Sequence, residues 1–458
     1  MNYELSQLLD ISSHHVSKTG SGATVLVLNT GAVITAEDSA MLMSLHSRSP
    51  AGILSHLQKL EKNGSGGLMS SFYVGYGHKS IGDCGTTNIF IEGVSMLAAK
   101  AIQDSQLYSG QECSTRYIDF RSQPFFDPVG SETSDAILKA LRAFYVDNFD
   151  TVVQHIASIN PRNEGESELV YAKAVKARAF DIMRGFLPAG ATTNVAWHTN
   201  LRQAADHLVK LRNHSLKEVR DIATSLQEAL SEAHPNSFGY KKYQATENYM
   251  ETWMSSSVYG PRHHLSDVTL AHNGIDKNML SEFFGFLSSR PPKTELPKAV
   301  GVAGTVRFEF CLDFGSYRDL QRQRAVIQRM PLLSFDYGFE KWYLDQLPES
   351  LKLAASILLK KIEVAVKRLG ASKSLTQYFV PMGYKVACQL SGDLPAMVYL
   401  VELRATKFVH PTLQVKAIKM AEQLEQEFKD FGLKIYFDLH EAGRFDVRRG
   451  QQDFVSKT

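Results

Sequence analysis

The chain has 458 residues, 44% hydrophobic and 21% charged, which is the composition of an ordinary folded protein and enough length for two domains. A net charge of +2 sets up no global field, so neither nucleic acid nor a membrane is expected as a partner. Four scattered cysteines, Cys84, Cys113, Cys311 and Cys388, form no Cys-x-x-Cys pair, which argues against a zinc site and a disulfide framework and suits a reducing compartment.

Residues 1–10 carry acids and no apolar core of leader length. No apolar run approaches the roughly 20 residues of a membrane span, so a cytoplasmic protein is expected. Residues 23–29 read as a buried strand, 36–47 as a helix with Met41, Leu42 and Leu45 on one side, and 50–60 as a short helix. The glycine-rich loop 63–67 lacks the Gly-Lys-Ser/Thr ending of a phosphate-binding loop. Residues 75–80 read as a polar turn, 87–91 as a strand, and 91–102 as a buried helix. The next stretch turns polar at once and gathers Ser109, Gly110, Gln111, Glu112, Ser114, Thr115 and Arg116. Gly110 permits a bend there. The hydroxyls and the planar guanidinium suit a phosphate monoester, while a capped turn whose Arg116 pairs with Glu112 is the plainer alternative.

Residues 124–134 form a linker by composition, and 136–156 and 166–183 read as long amphipathic helices closed by Pro188. Residues 199–229 read as helical, bearing Asn200, Arg202, His207 and Arg212 among apolar positions. Residues 234–272 are polar and aromatic without clear period and read as a junction. Then the order repeats: a strand at 306–312, a helix at 314–327 bearing Arg318, Arg322, Gln323 and Arg324, an amphipathic helix at 348–369, and a charged helix at 415–428. Val380-Pro381 stands where Leu187-Pro188 stood, and Leu403-Arg404 where Leu211-Arg212 stood. Such a repeat points to two copies of one domain, 1–240 and 241–458, rather than a solenoid. The adjacent pairs His14-His15 and His263-His264 face different ways and read as solvated loops rather than metal ligands.

Glu112-x-Ser114-x-Arg116-Tyr117, with Ser109 before it, resembles the second half of the signature Arg-His-Arg-x-x-Ser-x-Asn-Glu-x-Ser-x-Arg-Tyr of flavin-dependent thymidylate synthases. Gly77-His78-Lys79-Ser80 and Ile91-Glu92-Gly93-Val94-Ser95 are similar to that family in order and spacing. The flavin-holding Arg-His-Arg falls here on Asp104-Ser105-Gln106, and the family's Asn on Gln111. In the second copy Arg322-Gln323-Arg324 falls where the family has Arg-His-Arg, whereas the Glu-x-Ser-x-Arg-Tyr segment is absent. Each copy therefore lacks what the other keeps.

The resemblance implies an α+β fold of two tandem thymidylate synthase-like domains. It implies reductive methylation of dUMP to dTMP, with methylenetetrahydrofolate giving the carbon, FAD the hydride and NADPH the recharge. Ser114, Thr115, Arg116 and Arg184 would hold the dUMP phosphate, beside Gln111. Arg212 would polarise the uracil as the catalytic arginine, with Arg404 its counterpart. His78, Ser80, Glu112, Asn200, Arg202, His207, Arg322, Gln323 and Arg324 would face the cofactor. Because family members are homotetramers, two chains would form a homodimer acting as a pseudo-tetramer. Another flavin- and folate-dependent one-carbon transfer to a pyrimidine nucleotide, a nucleotide-binding regulator without catalysis, and a flavin-free nucleotide enzyme stand as alternatives.

Overall fold

The computed structural model describes residues 10–49, 52–75, 77–258, 267–437 and Phe445. Residues 1–9, and the pair His263-His264, lie outside the described residues. The chain packs into two compact units, Met1–Cys113 with Thr192–Ser257, and Ser114–Ala191 with Val258–Thr458. The halves 1–240 and 241–458 follow the order of motifs along the chain; the compact units are cut differently, because residues 114–191 pack with the later half.

The first unit is built on an antiparallel sheet of β1 (His15–Lys18), β2 (Thr24–Val27), β3 (Thr86–Ser95), β4 (Ser109–Glu112) and β5 (Thr192–Asn200), in spatial order β1-β2-β3-β5-β4. Period-2 alternation sends Val25, Val27, Ile89, Ile91, Val195 and Trp197 to the buried face. The helices Met96–Gln103, Leu201–Arg212 and Lys217–Ala233 belong to the same unit.

Three local expectations are corrected here. The helix expected from residue 91 starts at Met96, because β3 runs on through a bulge between Ile91 and Val94 and Ser95 caps the helix by accepting from Ala98 N at 3.0 Å. Residues 109–112 are the edge strand β4, and Gly110 is there for close approach rather than a bend: a Cβ would sit 2.0 Å from the Ala196 carbonyl. Residues 199–229 are not one helix. The central strand β5 runs to Asn200, whose side chain caps Leu201–Arg212, and residues 213–216 separate that helix from the next.

The second unit holds β6 (Thr269–Asn273), β7 (Thr305–Asp313), β8 (Ile327–Arg329) and β9 (Lys385–Asp393), in spatial order β6-β7-β9-β8. The long helices Glu132–Ile159, Glu168–Met183 and Glu349–Arg368 belong to it. The helix expected over 314–327 ends at Gln321, so Arg322, Gln323 and Arg324 lie in the turn toward β8 and not on a helix face.

The two sheets agree register for register. Thr86 of β3 faces Asn200 of β5, and Thr305 of β7 faces Asp393 of β9. At the other end Ser95 faces Thr192, and Asp313 faces Lys385. β3 needs one residue more than β7 to cover this span, and the bulge between Ile91 and Val94 accounts for it. Next to them Ser109 faces His198 and Ile327 faces Ser391. Counted back from these pairs, residues 104–106 and 322–324 stand at the same distance ahead of their edge strands.

Within the second unit, the turns after Arg184 and Gln377 pair with each other around an antiparallel bridge of Pro188 and Pro381. Ala189 N donates to Val380 O at 2.9 Å, and Met382 N to Leu187 O at 2.8 Å. Gly190 N donates to Tyr378 O, and Gly383 N to Gly185 O, both at 2.8 Å. The four bonds form two reciprocal sets, the pattern of a local two-fold axis. Gly190 has no room to spare, since a Cβ would sit 2.7 Å from Phe126 O and 2.8 Å from Tyr378 O. Gly190→Ala should therefore lower stability by about 1–3 kcal/mol in urea unfolding. Gly20→Ala, with nothing within 4 Å of the new methyl, is the control expected to leave the midpoint unchanged; equal midpoints for the two variants would refute the close packing.

Candidate active site

In the second unit arginines from both halves of the chain act on one carboxylate. Asp319, on the helix Phe314–Gln321, feels burial first, which favours the neutral acid. The charges of Arg184, Arg116, Arg322 and Arg404 overrule it and hold the carboxyl below its usual range. Arg184 ends the helix Glu168–Met183, is 1% exposed, and donates through Nη2 to Ser316 Oγ at 2.8 Å, with Nη1 3.5 Å from Asp319. Burial opposes its charge, but Tyr343, Asp319, Asp313 and Asp181 outweigh burial and keep it firmly cationic.

Arg116 closes its fork on Asp181, Nε to Oδ1 at 2.7 Å and Nη2 to Oδ2 at 3.3 Å, and both terminal nitrogens reach the Phe408 carbonyl at 3.2 Å. Asp181 is fully buried. Ser114 Oγ accepts from the Arg116 backbone at 3.2 Å, and the buried Thr115 accepts from Arg318 Nη1 at 3.5 Å. Arg404 is half-buried and its Nε lacks a hydrogen-bond partner; burial pulls its pKa down. Arg322 is exposed at the rim. Gln323 is buried and serves the turn, its carbonyl accepting from Gln328 Nε2 at 2.9 Å, while Arg324 is half-buried beside it. Beneath lies a closed network. Ser316 Oγ meets Thr412 Oγ1 at 2.7 Å and His410 Nδ1 at 3.3 Å, and Tyr343 donates to Asp313 at 2.7 Å. Burial, foremost, keeps His410 neutral.

The remaining sequence-derived residues lie in the first unit. Arg212 grips Glu247 with two nitrogens, and that hydrogen bonding, first of all, holds the Glu247 carboxyl at about 2. Arg202 donates to Asp83 at 2.7 Å, and both arginines line a cleft of about 270 Å³. Asn200 is a helix cap, accepting from Gln203 N at 2.8 Å. His207 is 5% exposed, with Nε2 2.8 Å from the Ile102 carbonyl and its ring edge-on to Trp197. Burial pushes it down to about 4, so it is a neutral core side chain. His78 is exposed, with Nδ1 3.3 Å from Arg48, and Ser80 is exposed in the same turn. Gln111 is exposed on β4, and Glu112 accepts from Gln103 at 2.7 Å.

Sequence reading passed over the acids that receive these arginines: Asp181, Asp319 and Glu247. Asp319 carried a signal, standing three residues before Arg322. Asp181 and Glu247 carried none, because their partners lie 65 and 35 residues away along the chain.

The fold mixes α-helices with two antiparallel sheets, and its second unit gathers arginines around the Asp319 carboxylate. Over residues 31–236 the chain matches the family described as "Thymidylate synthase complementing protein". It is similar to a UPF0159 protein of Chlamydia muridarum (26% identity over 485 residues, covering 88% of this chain and 91% of that protein). It is also similar to a UPF0159 protein of Thermoplasma acidophilum (24% over 468 residues, 85% of this chain and 92% of that protein). Among solved structures it is similar to thymidylate synthase X from Helicobacter pylori, crystallised with FAD and dUMP, at 21% identity and a TM-score of 0.28, covering 44% of this chain and 92% of that one. Among the described residues no helix is long and apolar enough to cross a membrane.

Two outcomes are expected. Arg116→Ala removes the two-nitrogen partner of the buried Asp181 and should cost about 3–5 kcal/mol in denaturant unfolding; a loss below ~1 kcal/mol would mean that the charge of Arg184 alone suffices to hold Asp181. His207 binds its proton more weakly in the folded state than its usual 6.5, so folding stability from it is complete above that pH and falls as pH drops toward about 4. Melting temperature should decline over that window, and less steeply in His207→Gln; parallel curves would rule out the histidine.

Proposed function

We propose that the chain is a flavin-dependent thymidylate synthase-like enzyme that converts dUMP to dTMP with methylenetetrahydrofolate, FAD and NADPH. One observation carries the reading: Arg116 and Arg184, from the nucleotide-type motifs of the first copy, share the field of Asp319 with Arg322 and Arg404 of the second. The cluster holds more arginines than acids, and Arg322 and Arg404 make no hydrogen bond to an acid among the described residues. A site with that imbalance favours a phosphate or a flavin pyrophosphate. The register match of 104–106 with 322–324 supports a tandem origin in which the second copy keeps the flavin-type arginines. Two chains would then assemble as a homodimer.

When bound, the flavin supplies the hydride and the folate the carbon; the chain's residues bind and orient. Arg322 and Arg324 would steady the flavin, while Ser114, Thr115 and Arg404 would face the nucleotide. A cationic Arg404, destabilised by burial in the resting site, gains most when an anion or a developing ring charge arrives. Arg116 and Arg184 act from behind through Asp181, Ser316 and Asp319. A second reading has its own support. Arg116, Arg184 and Arg212 each already face a carboxylate, as suits a nucleotide-binding regulator that has lost catalysis.

The absorbance spectrum of the purified protein separates the two. A yellow protein bleached by NADPH favours the enzyme; a colourless one that binds dUMP favours the regulator. In the flavin-bound protein, Arg322→Ala combined with Arg324→Ala should lower flavin occupancy by tenfold or so with circular dichroism unchanged. Full occupancy in that variant would remove both arginines from the cofactor site.

A further inference from the structure

We propose that Glu247 is a latch on Arg212, a carboxylate that holds the guanidinium until a nucleotide displaces it and releases the helix that carries it. The inference rests on the reading that Arg212 faces the nucleotide, and it adds a control to that site. Glu247 stands in the first turn of the helix Gln244–Val258. It accepts from Arg212 Nε at 2.8 Å, from Arg212 Nη2, and from Asn213 Nδ2 at 2.9 Å. Lys242 adds a further positive charge beside it. Glu247 and Arg212 line the same cleft. The oxygens of a ligand would seek the same two guanidinium nitrogens, so a ligand that uses them meets donors already taken. The pair also cancels the charge that Arg212 would otherwise offer to a ring that becomes negative.

The chain before the helix is anchored by the buried Phe238, whose carbonyl accepts from Gln227 Nε2 at 3.3 Å. Residues 239–243 have no regular structure and form a short tether between that anchor and the helix. Along the helix the described side chains of residues 244–256 are exposed except Glu247, Met250 and Met254, which are half-buried and share one face. The side-chain hydrogen bonds of Gln244, Thr252, Ser255 and Ser256 stay inside the helix, whereas Glu247 reaches out of it. Tyr249 is 67% exposed and Trp253 54% exposed. A helix with so little buried apolar surface opens more readily than the core around it. Glu247 is therefore a large share of what keeps it docked, and a ligand that competes for Arg212 shifts the balance between docked and released helix.

Phenylglyoxal, which modifies arginine guanidinium groups, reads the latch without any nucleotide. On the full chain, peptide mass spectrometry should find Arg212 labelled about tenfold faster in Glu247→Gln and in Glu247→Asp. The aspartate keeps the charge but is one methylene too short to hold the guanidinium. Arg202, held by Asp83 in the same cleft, is the internal control and should keep its rate. By titration calorimetry, dUMP should bind about tenfold tighter in Glu247→Asp, because the fraction of free Arg212 scales the apparent affinity. Adding dUMP to the wild type should raise amide hydrogen exchange across residues 244–256, the reverse of the protection that a ligand gives a fixed wall. Equal Arg212 labelling in the wild type and Glu247→Asp, or exchange at 244–256 that slows with dUMP, overturns the latch. Tighter dUMP binding in Glu247→Gln alone assigns the gain to lost charge and overturns it too. Faster labelling in both variants, with no dUMP binding by any of the three proteins, would sink the nucleotide reading and leave the latch.

Discussion

Burying Arg184 is the constraint on which the second unit depends. A guanidinium at 1% exposure is costly unless its charge is answered; here Ser316 receives Nη2 and electrostatic interactions with Tyr343, Asp319 and Asp313 offset burial, although Nε stays without a hydrogen-bond partner. The same turn then exchanges backbone hydrogen bonds with residues 378–383, so the buried charge and the backbone pairing reinforce each other. Even glycine placement follows. A Cβ at Gly185 would strike the Tyr343 ring at 2.6 Å, and one at Gly315 would crowd Arg184 Nε at 3.2 Å. Little at this junction can shift without exposing an arginine to an unanswered cavity.

That arrangement bears on how the arginines are to be understood. Arg116 and Arg184 are held by acids at fixed distances, so their first task is to position a wall. Arg322 is exposed and Arg404 half-buried, and neither pairs with a carboxylate within 4 Å among the described residues. One residue type is thus divided between holding the wall and standing available.

Much of this was legible in the amino-acid sequence, and the losses have physical reasons. The long helices announced themselves because their apolar faces repeat over several turns, as in Glu132–Ile159 and Glu349–Arg368. The central strands β5 and β9 were hidden, since each is flanked directly by a capped helix and reads as its continuation. Edge strands β4 and β8 have four and three residues and too little pattern to stand out. The motif residues were found, but what they touch was not. The resemblance set His207 against the cofactor, and the structure packs it against Ile102 and Trp197, where burial lowers its pKa. A salt partner across 65 residues of chain leaves no local trace.

The reciprocal pairing at Pro188 and Pro381 has a further consequence. In an assembly of identical chains related by such an axis, every substitution near it strikes twice, and a favourable change on one side is copied whether or not the other side tolerates it. Here the two sides are separate stretches of one polypeptide, so Arg184 keeps its charge while Gln377 opposite is neutral and bonds Leu333 N at 2.9 Å. Selection can therefore tune each side of the axis alone, and asymmetry becomes heritable at a place where a true dimer would forbid it.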